Sequence, residues 1–220
     1  MLWKKLKYKN KLMENYEILE NGLIKQKNIV TKIQTYDIQY VNERYNQYGE
    51  KGPQMAGLRL GYLVGTLGYW PTTILDVGYG NGDFLKVCKG VIDSYGNDVS
   101  GYPVPEGVKY VDNIFDKHYE VISFFDVLEH FEEINFVKDL NCDFIYISLP
   151  WCHNFNDEWF MNWKHRRPDE HLWHFNEKSI EKFFNEMGYD MLDHSNVEDI
   201  IRISNDEHQN ILTCIFKKRK

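Results

Sequence analysis

The sequence predicts an α/β fold: a doubly wound sheet, mostly parallel, with helices on both faces and one antiparallel strand at its edge. Three observations lead there. Apolar, strand-like runs alternate with helical patterns through most of the chain. The run ILDVGYGNGDFL at 74–85 reaches an aspartate and then places glycine at 78, 80 and 82, the punctuation of a tight strand-to-helix turn. The last two strand-like runs follow one another directly, as the arms of a hairpin do. A chain of 220 residues holds one such domain with a full core, and 43% hydrophobic with 27% charged residues is the balance of a globular protein in water.

Residues 1–54 are expected to form a helical extension acting as a lid. They are polar and rich in Asn, Lys and Tyr, and the series Tyr36, Tyr40, Tyr45 and Tyr48 opens at helical spacing, which packs one aromatic face on the domain. GEKGP at 49–53 breaks that segment. The main domain, residues 55–220, opens on MAGLRLGYLVGTLG, a short helix turning Leu58, Tyr62 and Leu63 inward. TTILDVG is a strand and DFLKVCKG a helix; SYGNDVSG and VKYVDNIF hold short strands, YEVISFFDVL a long buried one, EEINFVKDL a helix and CDFIYISLP a further strand. Asn176 caps a helix on which Ile180, Phe183, Phe184 and Met187 fall at i, i+3, i+4 and i+7, and Gly188 ends it. The tail, YDMLDHSNVEDIIRIS and then QNILTCIFKK, reads as two strands joined through the polar NDEH.

Composition narrows the partners. A formal charge of -7 and a pI near 5.6 argue against a broad phosphate-binding face and hence against nucleic acid. The basic residues at 4–11 and the terminal KKRK read as solvated tails. No apolar run approaches the roughly 20 residues of a membrane span, and no apolar block follows the N-terminal lysines, so a cytoplasmic protein with no membrane partner is expected. Cys88, Cys142, Cys152 and Cys214 have no CxxC spacing and are expected as buried, reduced thiols.

The glycine turn bares backbone to a ligand at the carboxyl end of the first strand, where a doubly wound sheet binds. The spacing is GxGxG, with Asp83 where a dinucleotide fingerprint has its last glycine, and an aspartate at a helix N-terminus repels a pyrophosphate. No GK[ST] follows, so it is not a phosphate loop either. The expected ligand is nucleoside-like, without a phosphate chain at this turn.

DVGYGNGDFL resembles motif I of the class I S-adenosylmethionine-dependent methyltransferases, whose fold is Rossmann-like, and later segments fall in that family's order. Asp98 in YGNDVSGY matches the acid that accepts from the ribose hydroxyls, and Asp112 in YVDNIF the acid that meets the adenine amino group. FFDVLEHF at 124–131, SLPW and DEHLWHFNEKSIEKFF resemble segments of the small-molecule subgroup. LRLGYL at 58–63 is similar to the helix preceding motif I in ubiquinone-biosynthesis O-methyltransferases, and assigns Arg59 to the methionine carboxylate, a pairing that a guanidinium suits. The likeness spans about 55–217 and implies S-adenosylmethionine as cofactor, bound by Arg59, Asp76, Gly78, Tyr79, Gly80, Gly82, Asp98, Val99, Asp112, Asn113, Phe125 and Asp126. Tyr79 departs from the family pattern, where a small residue or cysteine is commoner.

Methyl transfer from a sulfonium requires placing the acceptor and, for a hydroxyl, removing its proton. Residues 151–175 follow the fifth strand of the family order and hold Trp151, Trp159, Trp163, Trp173, His153, His165, His171 and His174. Rings of that density suit a planar or sugar face, so 151–175 is expected to be an acceptor-binding insertion for a small molecule or saccharide unit. Among the imidazoles His171 is the expected base, with His130 and His153 as alternatives. His165, Asp169, Glu170, His171 and His174 also contain metal-ligand types, but no HExxH or paired-cysteine spacing supports a metal, and none is expected. Two other readings stay open. One is a cofactor-binding sensor or partner subunit without methyl transfer. The other, a nucleic-acid methyltransferase, is weakened by SLPW, which lacks the first proline of [DNS]PP[YFW].

Overall fold

The computed structural model describes residues 14–31, 35–204 and 207–220, so the basic residues at 4–11 lie outside it. Its main sheet contains β3 (Thr73–Val77), β4 (Asp93–Asn97), β5 (Lys109–Tyr110), β6 (Tyr119–Phe125), β7 (Cys142–Pro150), β9 (Tyr189–Ser195) and β10 (Ile211–Lys218). Their order is β5-β4-β3-β6-β7-β10-β9. All pairs from β5 to β7 are parallel, and β10 enters antiparallel between β7 and β9 at the far edge. After β3 the chain steps outward to β4 and β5 and then returns to β6 on the other side. That reversal opens a crevice at the carboxyl ends of β3 and β6, as a doubly wound sheet does.

Helices cover both faces because the strands are apolar on both. Along β7, Phe144 and Tyr146 face α2 (Lys51–Leu67) and α3 (Asp83–Cys88), which contribute Ala56, Leu63, Phe84 and Cys88. Ile145, Ile147 and Leu149 face α5 (Glu177–Glu186), which follows the short α4 (Asp157–Asn162) and contributes Ile180, Phe183 and Phe184. The α5 expectation holds: the Asn176 side chain accepts from the Ser179 amide, and Gly188 at φ +92° follows the last turn. Phe184 stacks on Phe216 of β10 at 4.1 Å, so truncating it to alanine would cost about 3–5 kcal/mol. All four cysteines are free and buried, as expected.

Several local expectations are corrected. The described part of the extension carries the helix α1 (Ile38–Asn46), but before it β1 (Tyr16–Ile18) and β2 (Ile24–Gln26) form a hairpin that pairs through β2 with β8 (Trp173–His174). Glu20-Asn21-Gly22 supplies a three-residue hairpin loop between Leu19 and Leu23, with glycine at its left-handed last position, φ +90°. α2 starts at Lys51, because Pro53 lies in its first turn where no amide donor is needed. Its buried residues are Met55, Ala56 and Leu63, while Leu58 and Tyr62 are half-buried. EEINFVKDL yields a 3-10 turn, Asn135–Asp139. The strand expected to run through residue 204 stops at Ser195, and a 3-10 turn, Val197–Ile200, carries Glu198 inward to meet two arginines.

Candidate functional site

At the end of β3, Gly78, Gly80 and Gly82 adopt φ of +74°, +57° and +75°, a region closed to most side chains. A Cβ on Gly78 would clash with Val127, and one on Gly80 with the Tyr45 hydroxyl of α1. Asp98, just after β4, accepts from the Gly80 amide at 2.8 Å and from the Ser100 amide at 2.7 Å, which ties the turn to the neighbouring strand. Tyr79 turns away from this turn's open side: its ring packs with Leu85 and Val108, and its hydroxyl donates to the Tyr102 carbonyl. Asp112 and Asn113 lie exposed past β5, and Val99 is 84% exposed. Asp76 is buried on β3 and accepts from Ser123 Oγ at 2.7 Å. Burial raises its carboxyl to about 7, against the opposing effects of Ser123 and Arg59.

On the β6 side, charges from separated segments interlock. Arg59 lies 4.0 Å over the Phe125 ring and donates from Nε to Glu198 at 2.7 Å and from Nη2 to Glu198 and to Ser148. Arg202 grips Asp126 in bidentate fashion at 2.7 and 3.0 Å and also reaches Glu198 at 3.2 Å. Burial alone would raise both carboxyls, but Arg202 and Arg59 outweigh it and hold Glu198 and Asp126 below the usual range. Asp126 sits at φ +55°, a strained value for a residue with a side chain, at the carboxyl end of β6.

The next turn, Leu128–His130, brings Glu129 and His130 beside His171. Two tethers set that meeting: the Leu172 amide donates to the Glu129 carbonyl at 2.8 Å, and His130 Nδ1 lies 2.8 Å from the Glu170 carbonyl. The Tyr36 hydroxyl reaches the same nitrogen at 3.1 Å. Thus Tyr36 and Tyr45 of the extension touch the two sides of the crevice. Glu129 is 1% exposed and neither of its carboxylate oxygens has a hydrogen-bond partner. Burial lowers His130 and pushes His171 down to about 2, so His171 resists taking the proton that the sequence reading asked of it.

His153 stands apart. Its ring is stacked between Trp151 and Phe155, and its Nε2 lies 2.8 Å from the Gln209 carbonyl. It lines a cavity of about 480 Å³ with Trp159, Trp163, Lys164 and Asn210 at the carboxyl end of β7. His174 is buried as expected, its ring between Tyr16 and Phe160. The sequence reading missed Glu129, Glu198 and Arg202. Glu129 was visible beside His130 in LEH, and Glu198 with Arg202 at i, i+4, but nothing local aimed them at a common point.

A family model described as a methyltransferase domain matches residues 40–194. No curated protein matches the sequence. Among solved structures, magnesium protoporphyrin IX methyltransferase from Synechocystis PCC 6803, with bound SAH, superposes at TM-score 0.60 with 14% identity, covering 84% of this chain and 96% of its own. The 1,6-didemethyltoxoflavin-N1-methyltransferase of Burkholderia thailandensis superposes at 0.57 with 12% identity, covering 94% of this chain and 100% of its own. The plantazolicin methyltransferase BpumL gives 0.56 at 13% identity over 83% of this chain and 91% of its own. At these identities the likeness is one of fold.

Proposed function

On the premise that this chain belongs to the methyltransferase-domain family, we propose that it transfers a methyl group from S-adenosylmethionine to an oxygen of a small molecule or saccharide unit. One observation carries the reading: three left-handed glycines at the carboxyl end of β3, stapled to Asp98 after β4. The residues fit the cofactor in the backbone the glycines bare at the carboxyl end of β3 and in Asp98 beside it, with Val127 and Tyr45 standing against Gly78 and Gly80. S-adenosylmethionine supplies a methyl made electrophilic by its sulfonium.

Asp98 keeps lone pairs beyond its two backbone bonds and accepts from ribose hydroxyls; Asp112 and Asn113 serve the base end past β5, with Val99 alongside. Gly78, Gly80 and Gly82 let backbone approach, while the Tyr79 ring only braces the turn. Asp76, Phe125 and Asp126 line the crevice between the strands. Arg59 has Nε and Nη2 committed to Glu198 and Ser148. Its charge is therefore already balanced, and it holds the crevice wall as much as it attracts a carboxylate. Residues 1–54 act as a lid through Tyr36 and Tyr45.

The acceptor hydroxyl is presented to Glu129, His130 and His171, lone-pair donors gathered beside the carboxyl end of β6. The body of the acceptor stacks in the aromatic cavity of Trp159, Trp163 and His153, whose flat faces and amide rim suit a saccharide or planar ring. His153 is then an acceptor-binding residue, since its Nε2 is engaged by Gln209.

Calorimetry with S-adenosylhomocysteine, with NAD as control, tests the cofactor; release of S-adenosylhomocysteine from pooled hydroxylated metabolites tests the reaction. Binding of the first ligand but not of NAD, and turnover on hydroxyl acceptors, is expected. Binding of NAD alone would overturn the cofactor, turnover on amines alone the oxygen acceptor, and binding without turnover on any pool would return the chain to a sensor or partner subunit.

A further inference from the structure

We propose that Arg166, Tyr16 and His174 form a recess for one oxyanion, a carboxylate or a phosphoryl group, carried by the methyl acceptor. The recess stands on its own residues; that its ligand belongs to the acceptor rests on the cavity assignment above.

Local charge gives the first sign. In a chain of net charge -7, WKHRR at 163–167 sets Lys164, Arg166 and Arg167 close together beside the aromatic cavity. Arg167 is balanced by Glu170 at 2.9 Å, but Arg166 makes no ion pair with a described residue. A guanidinium next to a binding cavity, with no carboxylate of its own, is a seat for a carboxylate or phosphate from outside.

The second sign is independent of charge. The Tyr16 hydroxyl, His174 Nε2 and Arg166 Nε are all shut from solvent, and none has a hydrogen-bond partner. Tyr16 is 2% exposed and His174 3%, so each carries the cost of a buried, unpaired polar atom. The three are neighbours. The Tyr16 ring centre lies 5.7 Å from that of His174 and 6.0 Å from the Arg166 guanidinium carbon. Burial raises the Tyr16 hydroxyl and pushes His174 down to about 3; Arg166 opposes the first shift and adds to the second, so its charge stands near both groups. His174 is therefore neutral. A phenol, a guanidinium and an imidazole N–H are three donors, and an oxyanion accepts from all of them.

The recess adjoins the cavity through one ring. Trp163 lines the cavity and meets the His174 ring edge-on at 5.8 Å, and Arg166 is only half-buried, which leaves a way in. Long-range contacts hold the donors there. Tyr16 lies opposite Gln26 in the β1–β2 hairpin, and Gln26 Oε1 accepts at 2.8 Å from the amide of Asp169, three residues beyond Arg166. β2 in turn pairs Ile24 with His174. An acceptor that lays its ring on Trp163 thus points its acidic group at Arg166, and the N-terminal extension helps to read it.

The test titrates the full chain with glucuronate, glucose 6-phosphate and glucose, followed by tryptophan fluorescence and calorimetric heat. An acid is expected to bind about 10- to 100-fold tighter than glucose, the worth of a charge-assisted contact, and the tighter of the two acids identifies the group. Arg166→Gln should remove that advantage. Tyr16→Phe should weaken the acid about tenfold while leaving the melting temperature equal or higher, because its hydroxyl has no partner to lose. Acids that bind no tighter than glucose overturn the site, as does parent-like acid affinity in both variants. A lower melting temperature for Tyr16→Phe with unchanged acid affinity would reduce the recess to a seat for buried water. S-adenosylhomocysteine binding is measured alongside: its absence with acid selectivity retained would count against the proposed function, and its presence without acid selectivity against the recess alone.

Discussion

The glycine turn at the end of β3 is made by consecutive residues 76–82 and one aspartate from the adjacent strand, whereas the facing wall gathers side chains around Arg59, Asp126, His171 and Glu198. The first is backbone shaped by glycine, and its hydrogen bonds run to amides. The second is buried charge in which each group is tolerable only because its partners arrive from elsewhere. A backbone turn survives small changes nearby; a buried charge set fails when one member is removed.

The largest effect is therefore expected from Glu198→Ala, which leaves two guanidiniums facing each other without their shared carboxylate. The loss should be about 3–5 kcal/mol in urea unfolding, and a variant as stable as the parent would break the contrast. Acid should reveal the same network. Glu198 and Asp126 have folded-state pKa values held below their unfolded values, so their contribution is full above about pH 4 and lost as pH falls further.

Asp76 behaves in the opposite sense. Its pKa is raised by burial to about 7, so the folded state binds more protons than the unfolded one between about pH 4 and 7, and stability falls as pH rises through that window. Asp76→Asn should flatten that slope and stabilise the protein at pH 8 by roughly 2–4 kcal/mol. Melting temperatures across pH read it, and an unchanged slope would mean Asp76 is charged in the fold.

Gly80→Ala places a Cβ against Tyr45 at φ +57°, a strain of about 1–3 kcal/mol, and should weaken S-adenosylhomocysteine binding about tenfold or more. Adding Tyr45→Ala relieves the clash but not the dihedral, so recovery should be partial; full recovery would assign the whole effect to the lid. The smallest effect is expected from His153→Ala, which removes one stacked ring worth about 0.5–1.5 kcal/mol. Acceptor KM should rise several-fold with cofactor binding unchanged, and an unchanged KM would place the acceptor outside that cavity.

Legibility followed the same division. The α5 helix was readable to its cap, because Asn176, the apolar spacing and Gly188 are local signals that agree. The hairpin at β1 and β2 was equally local, and Asn21-Gly22 went unread beside the stronger tyrosine series. The 3-10 turn at Val197–Ile200 was not readable, because VEDIIRIS has the β-branched look of a strand. What bends it is Glu198 meeting Arg59, a residue far off in sequence.

By itself the sequence determined the parallel sheet and the glycine turn, because strand alternation and glycine dihedrals act over a few residues, while Asp98 was marked only by the family resemblance. Only the tertiary structure decided that Arg59 is neutralised by Glu198, that the Tyr79 ring faces away, that Tyr45 covers Gly80, and that Glu129, His130 and His171 share one small volume. The reason is physical: the cost of burying a charge depends on what surrounds it in space, and no local pattern along the chain encodes which distant group will stand there.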